Sequence, residues 1–157
     1  MADSGTSQTL ISKKPILLFL YFFCVIAAFW MLKPLRTSGV VKAFGPDYYP
    51  LIKQGVVFLI PFVLTLYNMM TCFLSRPRMV AFFTGLFLAG NGIFWWLFQG
   101  PSSSAVLVAF FYYVDIYVTL MVTLFWTYLN DLYEANEAKK YYGFIGAGGL
   151  LGGIAGS

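Results

Sequence analysis

Residues 15–32 read PILLFLYFFCVIAAFWML, eighteen consecutive positions without a charged side chain. A helix rises 1.5 Å per residue, so this run covers about 27 Å, close to the ~30 Å hydrocarbon core of a bilayer. It is too long for the apolar core of a signal peptide, has no good small-residue cleavage site, and is followed by further apolar runs. It therefore predicts a retained membrane-spanning helix. Lys33, Pro34 and Arg36 are expected to close it, and the polar residues 1–14 to form a short cytoplasmic tail.

Outward from this run the pattern repeats. A mixed connector from Thr37 to Pro50 carries Lys42 and the turn signal Gly45-Pro46-Asp47. A second span is expected from Leu51 to Leu74, with Lys53 and Gln54 in its first turn and Pro61 as a potential kink. The short basic connector Ser75-Arg76-Pro77-Arg78 leads to a third span, Met79 to Phe98. The uncharged connector Gln99 to Ser104 leads to a fourth, Ala105 to Leu129. Asn130 to Tyr142 is polar, and Gly143 to Ser157 is apolar and glycine-rich. Fifteen residues rise about 22 Å, short of the core thickness, so the fifth span reads as incomplete and the chain as a fragment.

Composition agrees with this reading. Of 157 residues 60% are hydrophobic and 10% charged, against about 25% charged in a soluble domain. Mean hydropathy is +0.77. This excludes a soluble enzyme and a disordered chain. The ten Lys and Arg are scattered between apolar runs rather than gathered on one face, which argues against nucleic-acid binding. The net charge of +4 reads mainly as topology-setting cations. Lys13, Lys14, Arg76, Arg78, Lys139 and Lys140 fall on one side of the expected spans, and Lys33, Arg36 and Lys42 on the other, which places the N-terminus in the cytoplasm. There is no histidine, and Cys24 and Cys72 sit apart inside apolar runs, where burial as small hydrophobes is expected. Neither a metal site nor a Ser/His/Asp or Cys/His catalytic unit can be assembled, so neither enzyme chemistry nor a cofactor is expected.

An ionisable group inside a span is costly, about 2.5–3.5 kcal/mol on insertion scales, and so marks a functional candidate. Asp115 lies ten residues into the fourth expected span, within Tyr112-Tyr113-Val114-Asp115-Ile116-Tyr117. Its structural alternative is an ion pair that holds the bundle together. Lys33, Arg36 and Lys53 flank the first connector. They either snorkel to the interface or form a cationic cluster facing a cavity, where the Arg36 guanidinium would grip phosphate. Arg76 and Arg78 are candidates for a gating loop of the kind found in major facilitator transporters. Gly148, Gly152 and Gly156 form a row at every fourth residue, beside a second row of Gly149, Gly153 and Ser157. Such rows let helix backbones approach closely. No phosphate-loop signature accompanies them. Tyr113 and Tyr117 bracket Asp115 and offer ring faces for stacking or for packing.

Two stretches carry more than composition. One is Leu32-Lys33-Pro34-Leu35-Arg36-Thr37-Ser38-Gly39-Val40-Val41, followed by Tyr49-Pro50-Leu51-Ile52-Lys53. The other is Phe125-Trp126-Thr127-Tyr128-Leu129-Asn130-Asp131, followed by Asn136-Glu137-Ala138-Lys139-Lys140-Tyr141-Tyr142-Gly143-Phe144-Ile145-Gly146. In order and spacing both resemble the ATP/ADP translocase family of intracellular bacteria and plastids, whose fold is similar to the major facilitator superfamily. The likeness covers roughly residues 15–157. It implies nucleotide exchange across a membrane by alternating access. It also implies substrate-binding roles for Arg36 and Asp115, with Lys33 and Lys53 as accessory cations. Where the family usually has Lys this chain has Arg36, and where it has Glu this chain has Asp115. Thr37 replaces an acidic residue.

The expectation is an all-α transmembrane chain: the first four helices and part of a fifth from a major-facilitator-like N-terminal bundle. It would lie in the bacterial inner membrane and exchange nucleotides or another phosphorylated anion. A missing C-terminal bundle of the same protein would close the cavity. The alternative is a non-transporting membrane anchor or scaffold subunit, with Arg36 and Asp115 as a static pair.

Overall fold

A computed structural model describes the backbone of residues 4–101, 103–133 and 135–157, and side chains within 14–101, 103–133 and 141–157. Among the described residues all regular structure is helical: α1 (Ser4–Phe44), a 3₁₀ turn (Pro46–Tyr48), α2 (Tyr49–Thr71), α3 (Arg76–Leu97), α4 (Ser104–Leu132) and α5 (Ala135–Gly156). Four stretches, Lys14–Phe44, Pro46–Thr71, Arg76–Leu97 and Ser104–Leu132, are long and apolar enough to cross a membrane. Large apolar side chains cover their outer surfaces, among them Phe58, Phe62, Trp95 and Trp96. Lipid hydrocarbon suits such faces, and a helix satisfies its own backbone there.

Several expected boundaries are corrected. α1 does not stop at Leu32 but runs through Pro34 to Phe44. Proline removes one backbone donor, a loss that apolar surroundings and neighbouring hydroxyls let a spanning helix absorb. The N–H that Pro34 lacks would have served the Trp30 carbonyl; the bond from Thr37 Oγ1 to the Lys33 carbonyl at 3.0 Å is a separate contact one turn on. Lys33 and Arg36 are thus helical rather than loop residues. The helix also begins at Ser4, so the expected tail is largely helical; residues 1–3 and the Lys13 side chain lie outside the described residues. The α1–α2 connection shrinks to Gly45 and the 3₁₀ turn. Gly45 has φ 87°, a conformation that side chains with a Cβ disfavour, and its N–H bonds the Val41 carbonyl at 2.9 Å. Arg76 and Arg78 belong to the first turn of α3, not to a loop. α5 begins at Ala135, ahead of the apolar run that opens at Gly143, and among the described residues it is not one of the four stretches long and apolar enough to cross a membrane. The side chains of Glu134, Glu137, Lys139 and Lys140 lie outside the described residues. Cys24 and Cys72 are exposed, not buried. An apolar thiol is at ease against lipid, so hydropathy did not predict which way it faces.

The chain divides into two compact units, Met1–Met31 with Leu129–Ser157, and Leu32–Tyr128. In the first, the glycine row of α5 lies along α1. A Cβ on Gly148 would come within 2.6 Å of the Phe19 carbonyl oxygen, and one on Gly152 within 2.5 Å of the Phe23 carbonyl oxygen. Gly156 approaches the Ala27 carbonyl in the same way. Positions 19, 23 and 27 repeat every fourth residue, as 148, 152 and 156 do, so two matching ridges run side by side. The Phe19 and Phe144 rings stack at 4.9 Å.

In the second unit α4 is the most deeply packed helix. Phe110, Phe111, Val114, Tyr117, Met121 and Leu124 are all buried and recur at helical spacing. Val40, Val56 and Phe111 form one cluster, bordered by Tyr49, Ile52, Ile60 and Tyr112. A second aromatic group joins α3 to α4: Phe94 to Phe110 at 5.1 Å and Phe87 to Tyr117 edge-on at 5.1 Å. Tyr117 is therefore core rather than a free stacking surface. By contrast α2 buries only Val56 and Tyr67 and runs uninterrupted through Pro61.

Candidate functional site

One turn of α4, Phe111 to Asp115, reaches three other helices. The Arg36 guanidinium of α1 forms a salt bridge through Nη1 to Asp115 Oδ1. The same nitrogen donates to the Phe111 carbonyl at 3.5 Å, and the guanidinium carbon lies 4.7 Å from the Phe111 ring centre. Phe111 and Asp115 are four residues apart and share a helix face, so one arginine meets a carboxylate, a carbonyl and a ring together. Arg36 is 7% exposed. Its Nε is buried without a hydrogen-bond partner among the described residues. The arginine thus keeps one unsatisfied donor next to a satisfied one.

The two tyrosines between them reach α2 and α3. Tyr112 donates to the Ile52 carbonyl at 3.0 Å. The Tyr113 hydroxyl lies 2.7 Å from the Phe87 carbonyl and 3.1 Å from Asn91 Oδ1. Each accepting carbonyl stands three residues before a glycine, Gly55 and Gly90. A Cβ on Gly90 would fall 2.6 Å from the Tyr113 ring, and Gly55 is pressed by the Tyr112 hydroxyl in the same manner. The small residue makes room for the ring that brings the hydroxyl to the carbonyl. Thr119 Oγ1 donates to the Asp115 carbonyl at 2.8 Å, leaving the carboxylate to Arg36.

The remaining candidates are placed differently. Lys33 precedes Arg36 by three residues on α1 and is half-buried. Lys53, in the first turn of α2, is exposed and pairs with no carboxylate among the described residues. Arg36 and Asp115 are therefore brought together, and Lys53 is not joined to them. Arg78 is exposed at the start of α3, where cations face the unfavourable end of the helix dipole. Among the described residues no three His, Cys, Asp or Glu side chains stand close enough to hold a metal ion.

Sequence reading missed Gly55, Gly90 and Asn91. Their only signal was a small or amide residue inside an apolar run. The sequence offers Tyr113 as a ring for stacking or packing but carries no sign of the Tyr112 and Tyr113 hydroxyl bonds, because their partners are remote in the chain. Compared with models of known protein families, with curated proteins and with solved structures, the chain matches none.

Proposed function

We propose that this chain is the N-terminal helical bundle of a major-facilitator-like secondary transporter that exchanges nucleotides, or a related phosphorylated anion, by alternating access. The observation that carries the reading is the Arg36–Asp115 pair between α1 and α4, its arginine buried and its carboxylate 17% exposed. A buried charge pair is weak evidence for stability, because desolvation offsets most of the attraction. Within a span it is a functional candidate by default. A phosphate oxyanion would compete with Asp115 for the Arg36 guanidinium. Release of Asp115 would then couple occupancy to the change of access. Lys33 is the accessory cation one turn away, Lys53 draws anions from the interface, and Arg76 and Arg78 act at the gate. The ordered resemblance to the ATP/ADP translocases supports the nucleotide as substrate. In this reading the N-terminus is cytoplasmic, the membrane is the bacterial inner membrane, and a second bundle beyond Ser157 completes the cavity.

The test is uptake of labelled ATP and ADP into proteoliposomes holding this chain within its complete protein. Saturable uptake accelerated by nucleotide on the far side is expected. Normal uptake by a properly inserted Asp115→Asn variant would sink the proposal.

The depth of Arg36 burial and its aromatic cover favour one other reading, a static pair in a membrane anchor or scaffold subunit. A charge swap, Arg36→Asp with Asp115→Arg, separates the two. It restores a structural pair while still disturbing a transport site.

A further inference from the structure

The two sides of α2 differ in kind. Val56 and Tyr67 are its buried residues. Gln54, Phe58, Pro61, Thr65, Asn68 and Cys72 are all exposed, and in sequence they are spaced alternately four and three apart. At about 100° per residue these six stay within about 40° of one line, and Val56 and Tyr67 lie about 200° round from it. The hydrogen-bonding side chains Gln54, Thr65 and Asn68 therefore point away from the packed core. They are also deep. The ~30 Å hydrocarbon core takes about twenty residues of helix, and centred on residue 60, the midpoint of α2, it encloses all three. Lipid tails offer an amide no partner, so a spanning helix turns such groups to protein or to water.

The width of the polar line decides between these. Phe58 within it is 82% exposed, and the exposed Val57, Phe62 and Met69 flank it. The wall of a water-filled path is polar across a wide arc. A single polar line between large apolar residues is the pattern of a helix–helix seam, and alternating spacings of four and three are the geometry of such a seam. The line also says what the other helix carries. Every copy of the chain inserts the same way round, so a closed pair has its two-fold axis along the membrane normal. That axis sets α2 beside α2 in parallel, with like residues at one depth. Asn and Gln each carry a donor and an acceptor, so each amide satisfies its own counterpart.

We infer that this side of α2 is a self-association surface, along which two copies of the chain pair with Gln54 against Gln54 and Asn68 against Asn68. The inference needs only the membrane-spanning helices and is independent of the transport reading.

The sequence supplies its own probe, because Cys72 lies on the line and the exposed Cys24, on α1, does not. The full chain is placed in phosphatidylcholine vesicles, oxidised with copper phenanthroline and run on a non-reducing gel. Cys24→Ser should still give disulfide-linked dimers, and Cys72→Ser should give none. In a background lacking both cysteines, Thr65→Cys should crosslink, whereas Leu66→Cys, one residue round the helix, should not. Adding Asn68→Leu to Thr65→Cys should slow crosslinking about threefold, the worth of one hydrogen bond between spanning helices. If Asn68→Leu fails to elute as the parent does, Gln54→Leu takes its place. Equal crosslinking at positions 65 and 66, or through Cys24 and Cys72, would report random collision and overturn the pairing. Absence of crosslinks at every position would overturn it too: labelling of Thr65→Cys by a water-soluble maleimide would then assign the line to water, and protection from it to a different chain or to lipid.

Discussion

Tyr112 and Tyr113 are neighbours on α4, yet their hydroxyls bond to different helices, Tyr112 to the Ile52 carbonyl of α2 and Tyr113 to the Phe87 carbonyl of α3. Consecutive helical residues point about 100° apart, so one dipeptide can link two neighbours of its helix. The linkage works because Gly55 and Gly90 stand where the rings must pass.

Tyr112→Phe and Tyr113→Phe should each lower stability by about 0.6–1.7 kcal/mol, the range for hydrogen bonds between spanning helices. Because the bonds go to different helices, the two losses should nearly add. Unfolding of the reconstituted protein by denaturing detergent measures this. Strong coupling between the two would mean that the tyrosines act through one shared contact.

Arg36→Leu strands the Asp115 carboxylate and Asp115→Leu strands the guanidinium. Each should cost about 3–5 kcal/mol, whereas the double variant should recover most of that loss. The same unfolding assay applies. If the singles and the double are equally destabilised, the pair is not what the two side chains contribute.

Gly152→Val would push a side chain into the Phe23 carbonyl, where even a Cβ would lie at 2.5 Å. Separating α5 from α1 there should cost about 1–3 kcal/mol. Gly146→Ala is the matched control, since a Cβ at that position meets nothing within 4 Å. It should be neutral or stabilising by up to about 1 kcal/mol through helix propensity. Disulfide trapping between cysteines at 23 and 152, in a background lacking Cys24 and Cys72, would report the helix approach directly.

Gly45→Ala should cost about 1–3 kcal/mol, because its φ of 87° is strained for any residue with a Cβ. The loss should appear in equilibrium stability without altering helix content by circular dichroism. An unchanged midpoint would show that the turn relaxes freely.

Legibility differed by residue. Asp115 stood out in sequence as the one charge in a long apolar run, and Arg36 as one cation of three. Nothing local singled out Arg36 as its partner over Lys33 or Lys53. They lie 79 residues apart, and only the packing of α1 on α4 selects the arginine. Pro34 misled for a related reason. Proline signals an end in water, where a freed carbonyl and a competing loop are both cheap. Inside a span the helix is the only backbone that satisfies itself, so it continues.

Helices long and apolar enough to span a membrane were legible from residues 15–32 and the three later apolar runs alone. Long uncharged runs have no other stable state in hydrocarbon, and their lengths follow from bilayer thickness and helix rise. Which faces meet was decided only by the tertiary structure. The fit of Gly148, Gly152 and Gly156 along α1, the choice of Arg36 for Asp115 and the reach of Tyr113 to the Phe87 carbonyl all depend on residues distant in the chain. Between helices in lipid there is little hydrophobic drive, so close packing and a few polar contacts select the arrangement. Those contacts leave almost no trace in hydropathy.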